Sequence, residues 1–104
     1  MSEQDKKIQE IHFLEQNIQN FLFQKQAFQI ELTETRAALE EIEKSGDEVF
    51  KIIGQLMIKS EKPKIKKELL DKEKALNLRM KTIEKQENSI KERLNGIRKE
   101  IVNK

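Results

Sequence analysis

The chain has 104 residues, no cysteine, no tryptophan and no tyrosine, and 38% of its residues are charged. This length fits one domain, and the high charge beside 36% hydrophobic residues is typical of a long helix or coiled coil rather than a compact globule. The lack of cysteine excludes a disulfide framework and a cysteine-based metal site. The first residues form no apolar signal region and no apolar run is long enough to span a bilayer, so we expect a cytoplasmic protein.

The charges are distributed unevenly along the chain. Residues 1–58 carry 6 basic and 11 acidic side chains, a net charge of −5, whereas residues 59–104 carry 15 basic and 8 acidic ones, a net charge of +7. The total of +2 does not indicate a nucleic-acid-binding protein. Two helices of opposite charge attract along their flanks when they fold back on one another.

The first predicted element is a long helix over about residues 4–44. Its seam positions, spaced alternately by three and four, are Ile11, Leu14, Ile18, Phe21, Lys25, Phe28, Leu32, Thr35, Leu39 and Ile42. This spacing is the seam pattern of a coiled coil. A polar residue such as Lys25 can fix the register of a seam, but the favoured interpretation is that its stem packs while its amine reaches water. Gly46 is predicted to end the helix in the left-handed conformation.

The second predicted element is a β-hairpin over about residues 48–60. Its strands are rich in β-branched and apolar residues, and Gly54-Gln55 between them suits a type II′ turn, in which Ile53 faces Leu56. An isolated two-stranded hairpin is marginal in water and its edges carry unpaired backbone groups, so we expect it to pair with strands of other chains. The residues predicted to form this oligomer contact are Val49, Phe50, Ile52, Ile53, Gly54, Leu56, Met57 and Ile58.

The third predicted element is a helix over about residues 63–102, with Pro63 in its first turn and Ser60 or Lys62 as its cap. Its two seam rows are Leu69, Leu76, Ile83, Ile90 and Ile97, and Glu73, Met80, Glu87, Leu94 and Ile101. The first row is entirely apolar, whereas the second contains two glutamates. Gly96 lies inside the helix, where glycine costs roughly 1 kcal/mol relative to alanine, and it is expected to loosen the end of the helix.

These elements predict a mainly α protein, namely a long antiparallel two-helix coiled coil with one β-hairpin at the bend. The linker between the helices is short, so the second helix must fold back along the first. Residues 1–104 then form a single domain in which both chain termini lie at the end distant from the bend.

No group of residues predicts catalysis, a metal site or a cofactor. The sequence offers no nucleophile beside a base, no paired carboxylates in a pocket and no glycine-rich phosphate loop. His12 is the only histidine and has no cysteine partner, so we expect no metal. One basic cluster contains Lys59, Lys62, Lys64, Lys66 and Lys67. Because it lacks a neighbouring aromatic for base stacking and is interrupted by Glu61 and Glu68, a solvated face is favoured over a nucleic-acid site.

The segment from Val49 to Lys59 resembles the hairpin signature of β-class prefoldin subunits, which runs aromatic-Lys, two aliphatic residues, Gly, and an aliphatic strand ending in Lys. Gln24-Lys25-Gln26 and residues 38–43 resemble stretches of that family's first helix, and the similarity covers about residues 8–100. The resemblance implies a hexamer of two α-class and four β-class subunits, whose hairpins close a double β-barrel platform. It also implies a holdase that captures unfolded or nascent proteins at its coiled-coil tips and delivers them to a group II chaperonin without ATP.

Within this interpretation, apolar residues at the free end of the coiled coil are the candidate client-binding site. They are Ile8, Ile11, Phe13, Leu14, Ile97, Ile101 and Val102. Ile8, Phe13 and Val102 lie outside the seam, whereas the other four become available only if the helix ends fray. For Ile11, Leu14 and Ile97, burial in the seam is the stronger alternative. For Ile8 and Phe13 the two interpretations are balanced, because exposed apolar residues indicate function only when they cluster.

Two other functions stay open. The chain is alternatively a structural coiled-coil scaffold subunit of another prefoldin-like complex, with no clients of its own. It is also alternatively a nucleic-acid-binding helical hairpin that uses the lysine cluster. The hairpin signature disfavours the nucleic-acid function, and the exposed apolar residues favour the chaperone over the scaffold.

Overall fold

The computed structural model describes residues 1–102. It contains helix α1 (Glu3–Lys44), strand β1 (Glu48–Ile53), strand β2 (Leu56–Glu61) and helix α2 (Lys62–Val102), in this order. Two long helices with one β-hairpin between them confirm the predicted fold class. The predicted cap of the second helix is wrong, because β2 continues through Glu61 and Lys62 is already the first helical residue.

The fold divides into two compact units, each with its own pair of helical segments. Unit 1 combines Met1–Ala27 with the part of α2 that begins at Met80, and unit 2 is Phe28–Arg79, which includes the hairpin. In unit 1, Lys7 pairs with Glu100 while Lys25 pairs with Glu87. In unit 2, Arg36 pairs with Glu73 while Glu43 pairs with Lys66. In both units, later residues of α1 meet earlier residues of α2, so the segments run antiparallel.

The core of each unit is a thin seam between its two helical segments. The buried residues among positions 1–102 are Leu14, Ile83, Glu87, Leu94 and Ile97 in unit 1, and Leu32, Thr35, Ile42 and Leu76 in unit 2. All nine occupy positions of the predicted seam rows. None of the described side chains is completely enclosed. The helices are therefore held by a long row of partly covered apolar contacts, with burial worth at most about 1.5–3 kcal/mol for a large apolar side chain.

The hairpin has the predicted register and turn. Ile53 pairs with Leu56 and the ladder continues to Glu48 opposite Glu61. Gly54 has a φ of 59°, and no other described residue has a positive φ, so the glycine takes the first position of the turn and Gln55 the second. This combination distinguishes a type II′ turn from a type I′ turn, in which both residues have positive φ.

Helix α1 ends without the predicted left-handed glycine, because Gly46 does not have a positive φ. The Ser45 hydroxyl instead donates to the carbonyl of Ile42 over 2.8 Å. The Lys62 ammonium donates to the carbonyls of Glu43 and Ser45, over 3.4 and 3.1 Å. These donors satisfy carbonyls that have no partner within the helix, which removes the need for a left-handed C-terminal residue.

Candidate functional site

The described part of the chain exposes two sets of apolar side chains that are candidates for binding other molecules. The first, which we name the hairpin surface, lies in unit 2 and contains Phe50, Ile52, Ile53, Leu56, Met57 and Ile58. The second, which we name the helix-end surface, lies in unit 1 and contains Ile8, Phe13 and Val102. The two surfaces belong to different units.

The hairpin surface has apolar side chains on both faces of the two-stranded ladder. Because side chains alternate along a strand, Ile52 and its partner Met57 point to one face while Ile53 and its partner Leu56 point to the other. Ile52 and Met57 are 69% and 68% exposed. A sheet in water normally covers at least one face, so a single chain leaves this hairpin without the packing that stabilises small sheets.

A groove of about 580 Å³ extends the hairpin surface toward the helices of unit 2. Apolar side chains from β1 and both helices line it, among them Ile42, Val49 and Leu69. Lys51 crosses from β1 to Glu68 on α2, where their charged groups lie 3.0 Å apart. This ion pair attaches the hairpin to the helix, while the apolar lining of the groove remains accessible.

The helix-end surface lies beside a closed part of the seam. Phe13 and Val102 are 62% and 79% exposed, and Ile8 is 43% exposed. The predicted client-binding residues in the seam differ from them: Leu14 and Ile97 are buried and pack with Leu94, and Ile11 and Ile101 are half-buried around this cluster. The three exposed residues are therefore available directly, whereas Leu14 and Ile97 are available only if the helices separate. Client binding by any of the seven stays a prediction.

A charged pair lies inside the seam of unit 1. Lys25 Nζ donates to Glu87 Oε1 over 2.8 Å, and the Glu87 side chain is only 7% exposed. Lys91 Nζ lies 3.6 Å from the same oxygen. The hydrogen bond from Lys25 lowers the pKa of Glu87, an effect that burial of the carboxylate opposes. The favoured interpretation of Lys25 as a lysine that merely reaches water is therefore wrong, because its ammonium binds the facing helix.

Comparison with known proteins places the whole architecture in one family. The family model described as "Prefoldin subunit" matches residues 5–104. Prefoldin subunit beta of Thermococcus onnurineus is 39% identical over 89 residues, covering 84% of this chain and 77% of that protein. Prefoldin subunit beta of Archaeoglobus fulgidus is 31% identical over 98 residues, covering 92% and 84%. The crystal structure of the prefoldin beta subunit from Thermococcus strain KS-1 aligns with a TM-score of 0.89 at 33% identity, covering 97% of this chain and 90% of that one.

The chain belongs to the prefoldin family, in its β class. The resemblance inferred from the hairpin segment is thus confirmed. The matched region includes both helices and the hairpin, so both candidate surfaces lie within the prefoldin fold rather than in an added segment.

Within residues 1–102, six ion pairs connect α1 and α2 of this prefoldin subunit. In three of them the acid is on α1: Glu10 with Arg93, Glu15 with Arg98, and Glu43 with Lys66. In the other three the acid is on α2: Lys7 with Glu100, Lys25 with Glu87, and Arg36 with Glu73. The acid therefore lies on α1 in only half of these pairs, although residues 1–58 carry the excess of acidic side chains. Within residues 1–102, Lys67 and Lys74 of α2 join no ion pair.

The lysine cluster around the start of α2 is largely engaged in contacts within the chain. Lys59 pairs with Glu48, Lys66 pairs with Glu43, and Lys62 caps α1. The hydrogen bond from Lys66 also lowers the pKa of Glu43. This arrangement does not form the continuous free basic patch that a nucleic-acid interface needs.

Residues 1–102 include no group of three or more His, Asp or Glu side chains that could hold a metal ion. Neither α1 nor the described part of α2 is long and apolar enough to cross a membrane. His12 is exposed.

Sequence reasoning missed two features of the site. Lys25 and Glu87 were identified as polar seam positions, but not as partners. The available signal was one lysine in the α1 seam and two glutamates, Glu73 and Glu87, in the facing α2 seam. The Lys62 cap of α1 was also missed, and no local pattern indicates it, because donor and acceptor lie 17 residues apart.

Proposed function

We propose that this prefoldin subunit is part of an ATP-independent holdase of the cytoplasm, which captures unfolded or nascent proteins and passes them to a group II chaperonin. In this proposal the subunit has no catalytic role and uses no cofactor. Its partners are α-class prefoldin subunits, in a hexamer of two α-class and four β-class chains.

The observation that carries the proposal is the exposure of large apolar side chains at the helix-end surface. Covering apolar surface yields about 25 cal/mol per Å², so covering roughly 200 Å² on one subunit is worth about 5 kcal/mol before the entropy of ordering the client is subtracted. Such a contact is weak alone. Several subunits acting on one client raise the overall affinity by increasing the effective concentration of the remaining contacts.

Assembly is assigned in this proposal to the hairpin surface. Its uncovered apolar faces and free strand edges favour pairing with hairpins of other subunits, which supplies the missing strands and covers the side chains. The helix-end surface contains no residue of the hairpin, so in this proposal pairing of the hairpins does not use it.

The proposal is tested by light scattering from a chemically unfolded protein that is diluted into buffer without nucleotide. The chain, assembled with an α-class partner, should suppress aggregation at near-stoichiometric amounts. The double variant Ile8→Ser/Phe13→Ser should lose most of this suppression while it keeps the oligomer. Leu22→Ser/Phe23→Ser is the matched control, because it removes two exposed apolar side chains of the same unit farther along α1.

A well-formed oligomer that leaves aggregation unchanged would instead favour a scaffold subunit without clients. Equal losses in the two double variants would show that capture is not specific to the helix end. Delivery is tested separately, by adding a group II chaperonin with ATP to the captured client and measuring recovery of the native client. Captured client that cannot be recovered in this way would contradict the transfer step.

A further inference from the structure

A stripe on the outer face of α2 in unit 2 has no role in the hairpin surface or the helix-end surface. It contains Lys67, Leu70, Lys74 and Leu78, and we name it the α2 outer stripe. Spacings of three and four place these residues on one side of the helix, and the seam residues Leu69 and Leu76 fall on the other. All four are exposed, with Leu70 and Leu78 at 45% and 65%.

The lysines of the α2 outer stripe are not neutralised within the chain. Lys67 and Lys74 have no carboxylate within 4 Å among residues 1–102, whereas Lys66 on the same helix pairs with Glu43. The one acidic residue beside the stripe is Asp71, which is exposed and joins no ion pair in the described structure. The stripe therefore combines two free positive charges with two exposed leucines.

We propose that the α2 outer stripe binds an acidic amphipathic helix of another protein. Lys67, Leu70, Lys74 and Leu78 follow one another at spacings of three, four and four, so lysines and leucines alternate along about three helical turns. A partner helix with apolar residues at the same spacing and flanking glutamates matches both features. The leucines supply affinity through apolar burial, and the lysines supply selectivity for acidic partners and faster association.

An acidic helix fits the stripe better than a nucleic acid does. Single strands are bound by basic grooves with aromatic side chains that stack on the bases, and the stripe has leucines in place of aromatics. Duplex binding relies on many phosphate contacts, and two lysines beside an aspartate provide few. The exposed leucines would also lie against phosphates without gaining any apolar contact.

The probe is a fluorescent synthetic helical peptide of about 20 residues, long enough for helix formation, with leucines on one face and glutamates beside them. Binding to the assembled oligomer is measured by fluorescence anisotropy at low and high salt. The variant Lys67→Glu/Lys74→Glu should weaken binding about tenfold or more, as expected for two reversed charge contacts. Leu70→Ser/Leu78→Ser should also weaken it severalfold, and with less dependence on salt. Circular dichroism and sedimentation confirm that each variant folds and assembles.

Lys6→Glu/Lys44→Glu is the matched control, because both lysines are exposed, lack an ion pair in the described structure and give the same change in net charge, from +2 to −2. It should change the affinity less than twofold. A loss equal to that of the stripe variant would overturn the proposal, since only net charge would then matter. Binding that is unchanged when the peptide's leucines are replaced by serines, or tighter binding of a DNA or RNA oligonucleotide, would overturn it as well.

The proposal is independent of client capture. The variant Ile8→Ser/Phe13→Ser should leave peptide affinity unchanged, even where it removes the suppression of aggregation. Loss of peptide binding in that variant would show that the peptide behaves as a client at the helix-end surface, and the assignment to α2 would be wrong.

Discussion

Replacing Lys25 by alanine should destabilise the chain more than replacing any exposed ion-pair residue. The substitution leaves the Glu87 carboxylate, whose side chain is 7% exposed, without its 2.8 Å partner. A buried polar group left without a partner costs roughly 1–3 kcal/mol, and removal of one partner from a fully buried ion pair costs about 3–5 kcal/mol. The lower range applies here, because Lys91 lies 3.6 Å from the same carboxylate and replaces part of the lost interaction. We expect about 2 kcal/mol.

The reverse substitution should cost less. Glu87→Ala leaves the Lys25 ammonium without its partner, but this side chain is 25% exposed and its flexible stem allows the ammonium to turn to water in the variant. We expect about 1 kcal/mol for this variant. Replacing both residues by leucine should be neutral or stabilising, because the seam then gains two apolar residues and loses the cost of desolvating two charges.

Urea denaturation followed by circular dichroism measures these differences, at one fixed protein concentration because the chain assembles. A loss of 2 kcal/mol also lowers the melting temperature by about 8–16 °C in a domain of this size. Arg98→Ala is the control, since it removes the exposed pair with Glu15 in the same unit and should cost at most about 1 kcal/mol. Equal effects of Lys25→Ala and Arg98→Ala would refute the argument that burial of the carboxylate decides the cost.

Three further predictions concern pH and two glycines. The pKa of Glu87 is held below its ordinary value of 4.5, so the stabilising effect of the carboxylate is complete above that pH and is lost as pH falls through the folded-state pKa. The difference in urea midpoint between wild type and Glu87→Gln should therefore shrink below about pH 4.5, and a constant difference would contradict this expectation. Gly54→Val forces a β-branched residue to a φ of 59° at a cost of about 1–2 kcal/mol, and it should reduce assembly with an α-class partner in sedimentation velocity. Gly46→Ala should leave assembly unchanged, because Gly46 has no positive φ and open space surrounds it. Gly96→Ala should raise the free energy of unfolding by about 0.5–1 kcal/mol in urea titrations, because the added Cβ meets nothing within 4 Å, and a decrease would mean that the glycine is required where it stands.

The sequence predicted those parts of the fold that depend on local spacing. Every buried residue among positions 1–102 lies on the predicted seam rows, because a helix that must bury one stripe repeats apolar residues every three or four positions. The hairpin register was also predicted, because the two residues Gly54-Gln55 fix both the turn type and the pairing of Ile53 with Leu56.

The features that sequence reasoning missed depend on which residues of the two helices lie opposite each other. A seven-residue repeat looks the same after a shift of seven, so it does not determine whether Lys25 faces Glu73 or Glu87. The α1 cap likewise could not be predicted from local sequence, because the Lys62 ammonium reaches Ser45 only once the hairpin has returned the chain to the end of α1. The prediction of a left-handed Gly46 used a local rule that this distant donor makes unnecessary.

Periodicity predicts which apolar residues are exposed, but it does not predict why they are apolar. Periodicity separates Phe13 from Leu14 correctly, because only Leu14 is in step with the seam, and the structure exposes the first and buries the second. Periodicity does not explain why the exposed position 13 holds a large apolar side chain. In the proposed function the reason is contact with clients, which neither the spacing nor the single chain contains. The seam pair of Lys25 and Glu87 bears on this difference, because a charged pair that requires one alignment keeps α1 and α2 from sliding past each other in unit 1. Holding that alignment keeps Leu14 covered and Phe13 uncovered, so the pair is expected to preserve the helix-end surface as well as the stability of the seam.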